Sequence, residues 1–299
     1  MANKAEFNRE QLIIQYAMGA VRQPYLRLMP WQVSHEGKPV ILPRMGSITL
    51  NAKIGDSVYG MQCDHVEPGV SIKNPGAEEN NALVLLSCIG NEATLISGPA
   101  KGAKGFVTGF HGGVEHLLVY FPREVLEQMT VEDKVQIRMW GRGMEILGME
   151  EEVKCLSIGP EIFDKLRMTV EDGKLKVPVA AKVPAYLMGS GMGEFSAYCG
   201  DYDIMTADRE EIARLGLDKL RYGDIVLLED CDNTYGRGFL KGAVTIGIVV
   251  HSDCILMGHG PGVSALLSAK TPVIEGIIDP HANLAEMMGV YERISSEQM

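Results

Sequence analysis

The sequence predicts an α+β, β-rich fold: two pseudo-symmetric β-lobes arising by internal duplication, with short peripheral helices. Three observations carry this. Glycine is abundant, 34 of 299 residues, and clusters at turns between Val- and Ile-rich runs, the pattern of short β-branched strands joined by tight turns. Helical patterns are brief, and the strand-helix alternation of a doubly wound sheet is missing. Finally, GDSVYGMQCDH at 55–65 echoes GDIVLLEDCDN at 223–233, with Val131-Glu132-Asp133-Lys134-Val135 as a weaker third copy. Each copy reads as a Gly-Asp or equivalent turn launching a strand whose far end presents an acid. We place the lobes at residues 1–155 and 156–299.

Taken in order, residues 6–20 predict a helix, because Leu12, Ile13, Tyr16 and Ala17 form one stripe. A β-rich stretch follows to about 121. Pro122 suits the first turn of a short helix, PREVLEQM, where a missing N–H costs nothing. Strands resume at KVQIRMWG, and Pro160 begins another short helix. Asp172-Gly173 predicts a two-residue hairpin turn. In TADREEIARLG, Asp208 and Glu211 have capping-box spacing and Gly216 suits the carboxyl-terminal cap. DIVLLED and AVTIGIVVHSD read as strands, with further helices expected from Gly262 and Ala282.

The chain carries 28 basic and 39 acidic side chains, a formal charge of −11. This argues against nucleic acid as partner, since phosphate surfaces need clustered Lys and Arg. The first residues, MANKAEFNREQ, are charged where a secretory signal would be apolar, and no apolar run approaches membrane-spanning length. The six cysteines are scattered without a Cys-x-x-Cys pair, so we expect reduced thiols, a cytoplasmic protein and no zinc knuckle. β-Rich lobes with edges to cover predict a homo-oligomer.

Several segments can carry chemistry. Cys63-Asp64-His65-Val66-Glu67 places an imidazole beside two acids, and a carboxylate next to a histidine orients it and completes a metal site. A plain Asp turn with a surface histidine has the same sequence. Asp230 and Asp232 share one face of an extended strand and suit a hard cation; Asp201 and Asp203 repeat that spacing. If the lobes face each other, the tips at Asp64–His65 and Asp232–Asn233 meet in one cleft. His251-Ser252-Asp253-Cys254 leads into Gly258-His259-Gly260-Pro261-Gly262, where Gly260 and Gly262 at an expected helix start would offer free N–H groups to an anion and His259 a proton. In GPAKGAKGFVTGFHGGVEH, the Walker spacing is absent, and His111, Glu115 and His116 do not keep zincin spacing, leaving His111 beside its double glycine as a cleft residue. Gly189–Glu194 is a flexible glycine run suited to a lid, without a dinucleotide fingerprint.

The segments GPAKGAKGFVTGFHGG, LGLDKLRYGDIVLL, GAVTIGIVVHSD and GHGPGV resemble an uncharacterised bacterial domain family that covers most of such a chain and implies no activity. A second likeness, limited to the Gly-Asp-x-Val strands and glycine-rich turns, is to the β-rich acetamidase/formamidase enzymes. It implies metal-dependent hydrolysis of small amides and assigns no residue. The expectation is therefore an enzyme acting on a small polar metabolite, a metal-assisted amidohydrolase. Asp64, His65, Asp230 and Asp232 would hold a divalent metal, with Asp64, His65 and His259 catalytic and Glu67, His111, His251, Gly260 and Gly262 against substrate. The alternative is a non-catalytic ligand-binding or scaffold protein built from the duplicated module.

Overall fold

The computed structural model describes residues 2–26, 31–191 and 197–291. In the first half, six strands close into an antiparallel barrel: β1 (Ile14–Val21), β2 (Gly69–Lys73), β3 (Glu92–Leu95), β4 (Lys104–His111), β5 (His116–Tyr120) and β6 (Lys134–Trp140). Their order is β1-β6-β3-β4-β5-β2, and β2 pairs back onto β1 through Ala20↔Lys73 and Val21↔Ile72. Closure leaves no open edge among these strands. Val21, Ile72, Val107, Leu117, Val119, Val135 and Ile137 are all completely buried.

The second half forms an open sheet from β7 (Ala181–Val183), β8 (Met188–Gly191), β9 (Tyr202–Ile204), β10 (Ile225–Asp232), β11 (Gly238–Val249) and β12 (Gly262–Ala269), ordered β7-β10-β11-β12-β9-β8. The strand Lys154–Cys155 crosses from the first half to pair with β12. A third sheet joins Asn3–Lys4 to Thr169–Glu171, Lys174–Val179 and Ile274–Ile278, tying the start of the chain to the second lobe. Short helices lie around the sheets: α1 (Ala77–Leu86), α2 (Arg123–Leu126), α3 (Pro160–Lys165), α4 (Arg209–Arg214) and α5 (Leu284–Met287). The fold is β-rich with two β-lobes, as expected. Among the described residues no helix is long and apolar enough to cross a membrane.

Local chemistry explains the elements that matched. The Asp208 carboxylate accepts from Glu211 N at 3.1 Å, and Gly216 closes α4 at φ 71°, so cap and stop work as the side chains require. Asp172 and Gly173 both take positive φ, 51° and 74°, the conformation a two-residue hairpin turn needs.

Three expectations are corrected. Residues 6–20 hold only a short 3-10 turn (Arg9–Gln11) before strand β1; pairing on both sides, with β6 and β2, outweighs the helical stripe, and Ile13 and Tyr16 stay exposed. The segment VSALLSAK is no helix. Its first seven residues lie in β12, whose eight residues are all buried, so the apolar run reflects burial on both faces. Residues 55–65 form turns and bends, whereas 225–232 form a strand.

The echo is instead a shared turn. In all three copies an Asp carboxylate accepts from the backbone N–H three residues earlier: Lys53 to Asp56 at 3.0 Å, Thr130 to Asp133 at 2.8 Å and Arg221 to Asp224 at 2.8 Å. The residue before each Asp is left-handed, with φ of 94° at Gly55, 73° at Glu132 and 85° at Gly223. Only Asp133 and Asp224 go on to launch strands, β6 and β10.

Asp133 is buried and accepts from Thr130 N, Thr130 Oγ1 and Ser97 Oγ. Asp133→Ala should lower stability by roughly 1–3 kcal/mol, the cost of orphaning buried donors, seen as a lower urea midpoint with an unchanged slope.

Candidate functional site

The lobes meet where β4 of the barrel packs on β12. Small residues permit the approach: a Cβ at Gly109 would overlap Val250, and Ser264 Oγ exchanges contacts with the backbone N and O of Phe110 at 3.3 and 3.2 Å. Four stretches converge at the end of this seam. The turn-rich loop before β2 brings Asp64, His65 and Glu67. The β4–β5 hairpin brings His111 and His116, which face each other in register. The start of β9 brings Asp201 and Asp203, and the segment after β11 brings His251, Cys254 and His259. Five of the seven histidines gather here, and all but the quarter-exposed His259 are buried.

Each of three imidazoles is held by one nitrogen. His251 Nδ1 is 2.9 Å from the Ser252 carbonyl, to which it donates. His65 Nδ1 lies 3.0 Å from Asp64 Oδ1, and His111 Nδ1 lies 2.6 Å from Glu67 Oε1. A backbone carbonyl or carboxylate on one nitrogen fixes the ring and leaves the other for a ligand. The three rings stand together, with centroids 4.5 Å apart for His111–His251, 4.9 Å for His65–His251 and 5.8 Å for His65–His111. His251 Nε2 is 2.8 Å from Asp201 Oδ2 and 3.3 Å from Asp203 Oδ1, yet it makes no aligned hydrogen bond among the described residues. It is a buried ring nitrogen flanked by carboxylate oxygens.

The carboxylates are positioned as firmly. Gly112 N donates to Asp201 Oδ1 at 2.7 Å. Asp203 Oδ2 lies 2.7 Å from His259 Nδ1 and 3.4 Å from His65 Nε2. Behind the rings, Glu67 accepts from His111, His116, Gly46 N at 2.7 Å and Ser71 Oγ. Asp64 pairs with Arg44 Nε at 2.8 Å, accepts from Cys254 Sγ at 2.7 Å, and receives the Gln32 amide at 2.7 Å when that amide is oriented toward it. His65 itself is left-handed, φ 53°, a conformation uncommon outside glycine that persists where surrounding contacts over-determine the backbone.

Electrostatics follow from burial opposed by pairing. Burial works to raise the Asp64 pKa, but His65, Cys254 and Arg44 outweigh it and hold it at about 2. Asp203 is held well below its ordinary value against burial by His251, His259 and His65, and Glu67 by the charges of His116 and His111. Burial disfavours the His251 imidazolium, but Asp201 and Asp203 raise its pKa well above the usual range. His65 is raised, against burial, by Asp203 and Asp64. The pocket thus favours positive charge next to its carboxylates.

The donors fall into three groups whose ligand atoms lie within 4.8 Å of one another: His111–Asp201–His251, His65–Asp203–His251 and His65–Cys254–His259. Such buried groups can hold a metal ion. They border a cavity of about 590 Å³ whose wall includes His65, His111, Asp201, Asp203, His259, Arg44, Gln32 and Tyr25.

Asp64, His65, Glu67, His111, His251 and His259, singled out in the sequence, are therefore neighbours. Asp230 and Asp232 are not among them. Asp230 accepts from Gly242 N at 2.6 Å and Asp232 from Thr234 N at 2.9 Å. Asp232 pairs with Gly238, seven residues along β10 from Ile225↔Ile248, roughly 23 Å in an extended strand from the end where His251 leaves β11. Asp232 thus sits at the far end of β10 from the seam, whereas Asp64 lies in a loop at the seam, so the expected shared cleft does not form through these tips. Gly260 and Gly262 lead into a strand, which removes the expected helix-start anion pocket; they serve close packing instead. A Cβ on Gly260 would overlap the Ile204 carbonyl, and one on Gly262 would overlap Asp201 and His251. Of the expected lid, Ser190 and Gly191 line the cavity, while Met192, Gly193 and Glu194 lie outside the described residues. Sequence reasoning missed Arg44 and Gln32, which carry no local signal, and undervalued Asp201 and Asp203, whose Asp-x-Asp spacing was visible.

Comparison with known proteins bears on most of the chain. Family models described as domain of unknown function DUF4438, N-terminal and C-terminal, match residues 31–164 and 165–288. A crystal structure described as that of TM1086 is 44% identical, with a TM-score of 0.90, covering 95% of this chain and 99% of that one. Comparison with curated proteins found no match.

Gly262→Ala should drive a methyl group into the Asp201–His251 pair. We expect a loss of roughly 1–3 kcal/mol from overpacking, measured as a lower thermal midpoint than that of a control alanine at exposed Gly238, where a Cβ would meet nothing nearer than 3.4 Å.

Proposed function

This chain belongs to the DUF4438 family, and we propose that it is a divalent-metal-dependent hydrolase of small polar substrates, with amide-type C–N bonds as its targets. One observation carries the reading: three buried imidazoles, each fixed at Nδ1, stand with two buried carboxylates beside a cavity. His251 Nε2 lies 2.8 Å from Asp201, His65 Nε2 lies 3.4 Å from Asp203 and 3.2 Å from His259 Nδ1, and His111 falls within the same donor group as Asp201 and His251. Imidazole with carboxylate suits zinc and its neighbours in the first transition row. The fit rests on the donor chemistry and on the unsatisfied Nε2 of His251.

A bound divalent cation supplies Lewis-acid polarisation of a carbonyl and makes water acidic enough to attack it near neutrality. The chain's own groups do the rest. His111, His251 and Asp201 hold the cation; Glu67 and the Ser252 carbonyl keep the two rings in place. Asp64, itself fixed by Arg44 and Gln32, orients His65. His259, the most exposed imidazole of the cluster, passes a proton between the cavity and Asp203, as amide hydrolysis requires when water adds to the carbonyl and the amine departs protonated. A wall mixing Arg44, Gln32 and Tyr25 with Leu256 and Met45 favours a small, polar, uncharged substrate.

Six cysteines, none in a disulfide among the described residues, suit a reducing cytoplasm. Exposed Tyr235 and Phe239 near the β10–β11 turn, 86% and 74% accessible, support self-association.

The test combines metal analysis with turnover. Purified protein should retain zinc or manganese, melt at higher temperature with it than after chelation, and release ammonia or amine from a panel of simple amides. His251→Ala should lose the cation and lower turnover at least ~100-fold, comparable to losing a strong catalytic interaction. Less than about a tenth of an equivalent of metal after loading, where a built site should fill stoichiometrically, together with no turnover, would overturn the hydrolase. Full loading without turnover on any substrate would favour a cation- or ligand-binding protein.

A further inference from the structure

We propose that the seam holds two divalent cations, bridged by Asp203. The inference rests on the metal reading above and extends it from one ion to a pair. The three donor groups overlap like links of a chain: His251 belongs to the first and second, His65 to the second and third. His111 and His259, at opposite ends, share no group. Zinc bonds of about 2.0–2.3 Å and four-coordination cannot draw seven donors, spread over three such groups, around one centre.

Asp203 stands at the middle with its two oxygens facing different partners. Oδ1 lies 3.3 Å from His251 Nε2, whereas Oδ2 lies 2.7 Å from His259 Nδ1 and 3.4 Å from His65 Nε2. A carboxylate so oriented links two ions roughly 3.5–4 Å apart, the spacing of two-metal hydrolytic centres. The first ion takes His111, Asp201, His251 and Asp203 Oδ1. The second takes His65, His259 and Asp203 Oδ2 in place of the hydrogen that His259 and Asp203 share, so the His259–Asp203 proton relay belongs to the single-ion state and does not operate once the second ion is bound. Cys254 remains with Asp64, to which its thiol donates.

Charge points the same way. Asp64, Glu67, Asp201 and Asp203 are each at most 3% exposed, and Arg44 is the guanidinium paired into this group. Buried charge without compensation is costly. With neutral imidazoles, a single dication leaves the cluster negative. A second turns it positive, the sign that stabilises an oxyanion developing in the cavity.

The test counts ions in the full chain. Protein stripped with chelator and titrated with zinc should take up two equivalents by elemental analysis after desalting. Loaded with manganese, it should show the electron paramagnetic resonance pattern of an exchange-coupled pair. His259→Ala should retain one equivalent and lose the coupling, with affinity for the second ion falling more than the roughly 10–100-fold that loss of an outer-sphere partner costs. Saturation of the native protein at one equivalent, uncoupled, would overturn the pair while leaving the single-ion hydrolase standing. No uptake at all would overturn both. Two coupled equivalents in a folded His259→Ala variant, verified by circular dichroism, would overturn the second site assigned here.

Discussion

Four carboxylates excluded from water at the junction of two β-lobes are the constraint on which the rest of this structure turns. Asp64, Glu67, Asp201 and Asp203 would each be expensive to bury alone. Each is met by a cation or a polar hydrogen: Arg44 and His65 at Asp64, His111 and His116 at Glu67, the Gly112 N–H at Asp201, His259 at Asp203. Holding acids and imidazoles this close keeps Asp64, Glu67 and Asp203 ionised and makes the pocket receptive to positive charge.

The folding of both lobes serves that arrangement. Barrel closure fixes β4 and β5, so His111 and His116 face each other and can share Glu67. The open sheet of the second lobe places β9 beside β12 through Tyr202↔Val263 and Asp203↔Gly262, which brings Asp201 and Asp203 under His251. Glycine at 109 and 262 lets these layers approach to a distance that any side chain would prevent. Neither lobe contains the cluster alone. His65, His111 and Glu67 come from the first; Asp201, Asp203, His251 and His259 come from the second.

The repeated turn illustrates how a local motif serves different ends. Asp56, Asp133 and Asp224 close the same loop with the same backbone donor. After Asp133 and Asp224 the chain enters a sheet. After Asp56 it does not, and Ser57 instead forms a bridge with Arg221. The loop that follows, freed from strand geometry, carries Asp64 and the left-handed His65 into the seam.

Features governed by a few consecutive residues were legible in the chain itself: the α4 cap at Asp208, the Asp172-Gly173 hairpin, the proline-started helices and the β-rich class. Histidines beside acids or glycines were legible as candidates, since His65, His111, His251 and His259 each stand in such a setting. Their assembly was not. Whether Ile13–Ala17 becomes helix or strand depends on β6 and β2 pairing with it. Whether VSALLSAK is helix or buried strand depends on β11 and β9 flanking it. The choice of Asp201 and Asp203 over Asp230 and Asp232 as partners of His65 is decided by strand direction and register, which put one Asp-x-Asp pair at the seam and the other at the far end of β10. Local propensity acts over a turn or two of chain, whereas a site built from residues 44 to 259 depends on contacts between strands that only the closed barrel and its neighbouring sheet bring together.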